Sequence, residues 1–169
     1  MDVDAGKQTI TFQSEPIEKC WDEALPLMRD NYEETGFWLG EFNPDYEKLK
    51  RMEDMGFIRV YTFRSSGRLV GYQVFFVMFG INCPKALMAT CHVSYVAPAH
   101  RGFAALRFLK WVDQQLMIEG ATSITRQSSI HRDLGKLYGR MGYHKSEESW
   151  TRMNPFVIGL MHGGIADGY

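Results

Sequence analysis

Three runs rich in β-branched and aromatic residues, 58–63, 69–79 and 86–96, follow one another with only turn-forming segments between them: Ser65-Ser66-Gly67, then a stretch through Asn82 and Pro84. Gaps this short leave no room for a crossover helix, so the runs must lie side by side as antiparallel strands, and they form the main body of a sheet. The longest unbroken apolar run, from Val74 to Ile81 counting Gly80, falls inside the second of them and reads as buried strand. It is far short of the roughly 20 residues a membrane helix needs. The third run is closed by Ala97-Pro98, and from 103 to 119 the pattern switches to helical spacing. Ala105, Leu109, Val112 and Leu116 share one stripe against Arg107, Lys110 and Gln114, with Gly120 as terminator.

The flanks add less regular pieces. Residues 8–13 alternate, with Ile10 and Phe12 on one side and Thr9, Thr11 and Gln13 on the other, which predicts a half-buried first strand. Ser14 then stands where a helix N-cap belongs. Ile17, Trp21, Ala24 and Met28 follow at helical spacing, but Pro26 lacks an N–H, so two helical pieces are expected. Asn43-Pro44-Asp45 is a helix start and Gly56 the matching stop, predicting a helix over 45–55. A short strand is expected at 122–126 and a helix at 133–141, with Leu134, Leu137 and Met141 on one stripe and Gly142 ending it. A last strand is expected at 143–153, with Trp150 and Met153 inside. The expected organisation is a single domain over 1–153 with a glycine-rich tail over 154–169, of mixed α+β class: a mostly antiparallel sheet flanked by helices.

At 169 residues, with 45% hydrophobic and 23% charged, the chain can bury a core of its own and is not a disordered or low-complexity polymer. Lys plus Arg (19) nearly cancels Asp plus Glu (20) for a net charge of -1, so no global field draws in nucleic acid or an anionic membrane, and a polyanion must be held by a local site. Cys20, Cys83 and Cys91 contain no CxxC pair, and the five histidines are scattered. No metal site and no disulfide framework is expected, and a reducing compartment is. The polar, acidic MDVDAGKQ start resembles no secretory signal, and the expected location is the cytoplasm.

Chemistry concentrates in two segments. In SYVAPAHRGFAALRFL, from Ser94 to Leu109, a strand ends and a helix opens across Arg101-Gly102. A helix start exposes unpaired amides and the positive end of the macrodipole, which together can cradle a phosphate or diphosphate, and glycine lets backbone approach closely. In LGKLYGRMGY, from Leu134 to Tyr143, a short helix presents Tyr138 four residues before a terminating glycine. A phenol, of reference pKa near 10, can protonate a thiolate whose own is roughly 8.5.

Together and in this order the two segments resemble the GCN5-related N-acetyltransferase (GNAT) superfamily. Val96, Pro98, Arg101, Gly102, Ala104 and Ala105 match its strand ending in V-x-P followed by an R-G turn. Leu137, Tyr138, Gly142 and Tyr143 match its L-Y-x-x-x-G-F/Y motif. Small phage-encoded members are the nearest in style, through Asn43-Pro44-Asp45, G-R-L-V-G-Y and A-P-A-H-R-G. The resemblance implies a sheet whose fourth and fifth strands splay apart, with acetyl-CoA in the gap. Its pantetheine would pair with the backbone of Tyr95, Val96 and Ala97, and its diphosphate would sit on the amides of Arg101, Gly102, Phe103, Ala104 and Ala105, with Ser128 a further contact or a helix cap. Where the family carries more glycines, Phe103, Ala104, Ala105 and Leu106 follow Gly102.

The resemblance also implies direct transfer to a primary amine, with Tyr138 as the acid. For the base, period two puts Thr90, His92, Ser94 and Val96 on one face and Cys91, Val93 and Tyr95 on the other, making His92 the candidate, acting through a water. Cys91 beside it points the other way and is no nucleophile partner. His100 and His131 are alternative contacts for a phosphate or the acceptor, and Trp38 for the acceptor cleft. The acceptor is a small molecule or a protein. Glu33, Glu34, Glu41 and Asp45 form the one local acidic cluster that a polyamine or aminoglycoside would require. The competing reading is a GNAT-fold module that binds a protein partner, such as a host factor of a phage, with catalysis secondary or lost. On either reading a monomer or a homodimer is expected.

Overall fold

A computed structural model of the chain describes residues 8–35, 41–128 and 133–151. These divide into two compact units, one running to Asn31 and from Asp45 to Gln127, the other holding Tyr32 to Pro44 and the chain from Ser128 onward.

The first unit is built on a five-stranded sheet in the order β1 (Ile10–Ser14), β2 (Ile58–Ser65), β3 (Arg68–Phe79), β4 (Leu87–Val96), β5 (Ala121–Thr125). The first three pairings are antiparallel and the last is parallel, as a crossover through helix α3 (Phe103–Ile118) requires. α3 covers one face, where Phe108, Val112 and Leu116 pack on Tyr61, Phe63, Phe75 and Val77. On the other face α1 (Ile17–Thr35) lays down Ile17, Cys20, Ala24 and Leu27 against Ile58, Val60, Tyr72 and Val74, with α2 (Tyr46–Asp54) lending Tyr46, Leu49 and Met52 at its margin. A short 3₁₀ turn, Pro98–His100, joins β4 to α3.

Several expectations from the sequence are corrected. Ser14 stays in β1, paired with Tyr61, and caps nothing. The first amide of α1, that of Ile17, instead donates to the Glu53 carboxylate at 2.9 Å, so α2 supplies the cap. Pro26 does not split the helix: α1 is continuous because Pro26 is on the exposed face, where the Asp22 carbonyl it leaves without a donor is open to water. Met78, Phe79 and Ile81 are exposed, so the large side chains of the apolar run are buried only up to Val77. In the N-terminal half of α1, Glu23 accepts from Arg64 and from the Leu69 amide, while Glu15, just before the helix, forms a two-pronged pair with Arg64, tying the helix to the β2–β3 hairpin.

In the second unit α4 (Gly135–Arg140) brings Tyr138 and Tyr143 to 5.7 Å between ring centroids. Residues 143–151 form no strand, and Trp150 is exposed. The stretch is dominated by charged and polar side chains and offers no apolar alternation to bury, and Lys145 instead pairs locally with Glu148. Met153, the 154–169 tail, Trp38, His131 and the first seven residues lie outside the described residues. No described helix is long and apolar enough to cross a membrane.

Candidate functional site

β4 and β5 pair only from Leu87 to Thr90 against Ala121 to Thr125, after which β5 ends and β4 continues to Val96. Over that continuation β3 is the only sheet partner of β4 among the described residues, which leaves the other edge of the strand without a strand beside it. Antiparallel alternation says which groups use it. The Ala97 amide donates to the Val70 carbonyl at 2.8 Å, so the N–H and C=O of Val96, and those of Ser94, turn away from β3 toward the open edge. The Val96 carbonyl is taken by the Arg101 side chain, whose Nε donates to it at 2.8 Å while the guanidinium lies 5.5 Å from the centre of the Tyr95 ring.

The strand leads into α3 through Gly102, whose φ of 99° and ψ of -137° exclude any side chain without strain. As N-cap it has no side chain to bond the helix amides, so the first-turn N–H groups of Phe103, Ala104 and Ala105 have no internal acceptor. Nothing lies within 4 Å of the position a Gly102 Cβ would take, Phe103 projects outward, and Ala104 and Ala105 are half-buried against the α3-side core. A pantetheine arm fits the free edge at Ser94 and the Val96 amide, and a diphosphate fits the uncapped turn.

The period-two expectation along β4 is overturned at one residue. Val74 pairs with Val93 but Phe75 pairs with Cys91, so His92 is an extra residue, a β-bulge that flips the faces beyond it. Cys91 therefore packs with the α3-side core, whereas Val93 and Tyr95 pack on the α1 side, where sequence alternation alone puts all three together. His92 itself lies against Phe76, ring centroids 4.7 Å apart, and desolvation there lowers its pKa from the ordinary 6.5. A neutral imidazole at pH 7 is a proton acceptor. Cys91 is unsuited to nucleophilic work, since burial pushes its thiol up to about 11. His100 sits edge-on to Phe63 at 6.1 Å. Ser128 accepts the Leu134 amide at 2.7 Å and donates to Asp133, bracing the approach to α4, and Tyr138 is buried in that helix.

Sequence reasoning missed two features. At Gly71, opposite Val96 in the register, an added Cβ would stand 2.9 Å from the Tyr95 carbonyl oxygen and 3.0 Å from a Val96 methyl, so the absence of a side chain sets how closely β3 and β4 approach at the free edge. Arg126, the residue after β5, is wholly buried where the strands part. It donates to Asp113 of α3 at 2.7 Å and to Gln73 of β3 at 2.8 Å, with its guanidinium 5.0 Å from the Phe75 ring centre. The signal was present: Gln73 interrupts an apolar strand and Asp113 lies beside Val112 on the apolar stripe of α3.

Among the described residues no three His, Cys, Asp or Glu side chains gather as a metal would need. A cleft of about 560 Å³ opens elsewhere, among Glu15, Lys50, Glu53 and Arg59. All four of these side chains are already engaged: Glu15 with Arg64, Lys50 with Asp54, Glu53 with the Ile17 amide and Arg59 with Glu119.

No protein-family model matches the chain, and no curated protein does. Solved structures do. A ribosomal-protein-alanine N-acetyltransferase from Brucella melitensis superposes with a TM-score of 0.66 at 15% identity, covering 86% of this chain and 99% of that one. A predicted acetyltransferase with acetyl-CoA from Clostridium acetobutylicum gives 0.64 at 12% identity, over 88% and 97%. The fold is that of the GCN5-related N-acetyltransferases. An aminoglycoside acetyltransferase from an uncultured soil metagenomic sample, in complex with sisomicin, shares this GNAT fold at 0.65 and 16% identity, over 87% and 94%. The expected GNAT architecture, with its mixed sheet and parting β4 and β5, is therefore the observed one.

Proposed function

We propose that the chain is an acetyl-CoA-dependent N-acetyltransferase that passes an acetyl group directly to a primary amine of a small molecule or a protein. One observation carries the reading: β4 outruns β5 and leads, along a free backbone edge, into an uncapped helix start at a glycine no side chain can replace without strain. A fold alone does not specify chemistry. The edge and the amide cradle are local features, and they suit the two ends of a CoA molecule.

In this reading acetyl-CoA supplies the acetyl group as a thioester. Of the Tyr95 to Ala97 backbone, Val96, with Ser94 before it, holds the pantetheine as an added strand, because Tyr95 and Ala97 turn their own backbone groups to β3. The amides of Gly102, Phe103, Ala104 and Ala105 hold the diphosphate at the positive end of α3, with the Arg101 charge alongside, the Arg101 amide itself donating to the Pro98 carbonyl. His92 takes the amine proton through a water as the nitrogen attacks the carbonyl carbon. The N–C bond forms, the C–S bond breaks, and the Tyr138 hydroxyl, assigned by its place in the Leu137-Tyr138 to Gly142-Tyr143 motif, gives its proton to the departing thiolate.

Calorimetric titration with acetyl-CoA, followed by CoA release with and without a supplied amine, tests the proposal. Saturable binding with amine-stimulated release is the expected result, and Tyr138→Phe lowers kcat while leaving the cofactor Kd unchanged. The second reading, a GNAT-fold module that binds a protein partner without transfer, draws on Arg101 occupying the Val96 carbonyl and on the bulkier Phe103 to Leu106 turn. It stands instead if no heat is seen at millimolar acetyl-CoA.

A further inference from the structure

The sheet has a second open edge, on β1. The Ser66 amide donates to the Thr9 carbonyl at 2.7 Å and the Glu15 amide to the Val60 carbonyl at 3.2 Å, so every second residue from Thr9 to Glu15 turns its backbone groups to β2. The N–H and C=O of Ile10, Phe12 and Ser14 therefore point the other way, where no described strand stands beside them. Native edges are commonly blunted by proline, lysine or a bulge, and Ile10–Ser14 has none of these. Phe12 also lines a groove of about 260 Å³ between β1 and α3, together with Arg107, Lys110, Trp111 and Gln114. The floor is apolar: the half-buried Phe12 and Trp111 rings lie 6.0 Å apart. The rim is basic. Arg107 and Lys110 are exposed, the Arg107 guanidinium lies 6.0 Å from the Phe12 ring centre, and among the described residues neither cation forms an ion pair. The carboxylates on or flanking the two elements, Glu15, Asp113 and Glu119, are already held by Arg64, Arg126 and Arg59.

We propose that this edge and groove dock an extended acidic segment of a partner protein, added to β1 as a further strand. Its backbone satisfies the outward groups of Ile10, Phe12 and Ser14. Side chains of a strand alternate, so an apolar residue beside Phe12 enters the aromatic groove. Carboxylates at the neighbouring same-face positions then meet Arg107 and Lys110. A second copy of the chain is the poorer occupant. Two β1 edges paired about a two-fold put both α3 helices on one face of a continuous sheet, setting the two cations of each copy toward those of the other. Nucleic acid is poorer too, since two cations on a chain of net charge -1 neutralise little phosphate and the strand edge would stay unpaired. β1 and the β4–β5 gap lie on opposite sides of the sheet, so docking here is independent of the proposed transfer activity.

Fluorescence anisotropy of the full chain with a labelled peptide, SETFTES, whose glutamates and phenylalanine share one face, tests the proposal. Saturable binding with a Kd below about 100 µM is expected. Lys110→Glu, and separately Arg107→Glu, should each weaken it about tenfold or more with unchanged circular dichroism and unchanged acetyl-CoA affinity, since both side chains are exposed and neither belongs to the cofactor site. The glutamine peptide SQTFTQS should lose affinity to a similar degree. Methylating alternate peptide nitrogens distinguishes strand addition from loose charge attraction: one set abolishes binding and the complementary set does not, because only every second residue of an added strand faces β1. No saturation by about 1 mM overturns the proposal, as does equal behaviour of the two methylated sets. Binding that ignores both charge reversals and is blocked by acetyl-CoA places the peptide on the β4 edge and overturns it. Displacement by an oligothymidylate overturns it in favour of nucleic acid, and binding that appears only after removal of residues 1–7 gives the edge to the chain's own start.

Discussion

Arg126 shows how one side chain can tie neighbouring elements together at the point where two strands part. Its guanidinium is removed from solvent and shared between α3 and β3, at the level where β5 leaves β4, so a charge that cannot be left bare is bonded across the point of divergence. Arg126→Met leaves Asp113 buried and unpaired, and is expected to destabilise the fold by about 3–5 kcal/mol, whereas the double replacement with Asp113→Leu recovers most of the loss. Urea unfolding of the three variants measures it. His92 carries the second prediction at this scale. Desolvation against Phe76 disfavours the imidazolium and lowers the pKa, so the base form persists to below pH 6.5. The kcat/KM profile should fall only beneath that value, and His92→Ala should lose the acidic limb together with about 100-fold in rate. An acidic limb that survives the substitution assigns the base elsewhere.

Among the elements, β3 and β4 position the site by approach and by register. The missing side chain at Gly71 lets β4 lie close at Val96, and the bulge at His92 turns Ser94 and Val96 relative to the strand before it. Gly71→Ala forces β4 back by a few tenths of an ångström against backbone. It is expected to cost about 1–3 kcal/mol of stability and to weaken acetyl-CoA binding on the order of tenfold, a loss of affinity that Tyr138→Phe does not share; calorimetry on both variants checks it. Long elements were legible in the sequence because their patterns are self-contained. The Asp45 cap and the Gly56 stop bound α2 as read, with the Asp45 carboxylate accepting the Lys48 amide at 2.9 Å, and α3 follows its stripe from Phe103 onward. The bulge was not legible. An extra residue in β4 is defined only by which residues of β3 stand opposite it, and alternation within one strand carries no such information.

At the scale of the molecule, the α1 face is tied to the sheet by charge as well as by packing. Arg64 hydrogen-bonds both Glu15 and Glu23 and holds both carboxyls below their ordinary 4.5. Groups depressed in the folded state stabilise it above the unfolded pKa, and that contribution is lost as pH falls from about 4.5 through their folded values. Unfolding free energy should thus stay level with respect to these groups from pH 7 to about 5 and decline below; in Glu15→Gln, followed by denaturant titration at each pH, the decline should be shallower from a plateau about 1–3 kcal/mol lower. The order of strands and helices from β2 to α4, the class of the fold and the glycine turn at Gly102 that opens α3 were determined by the sequence, because hydrophobic period, turn residues and capping signals act over a few neighbouring positions. Tertiary structure alone decided that Glu53 caps a helix 36 residues away, that Arg126 meets Gln73 across 53 residues, and that Pro26 is harmless on a solvated face. Each of these depends on what stands opposite a residue in space, and only the packed sheet and helices supply those partners.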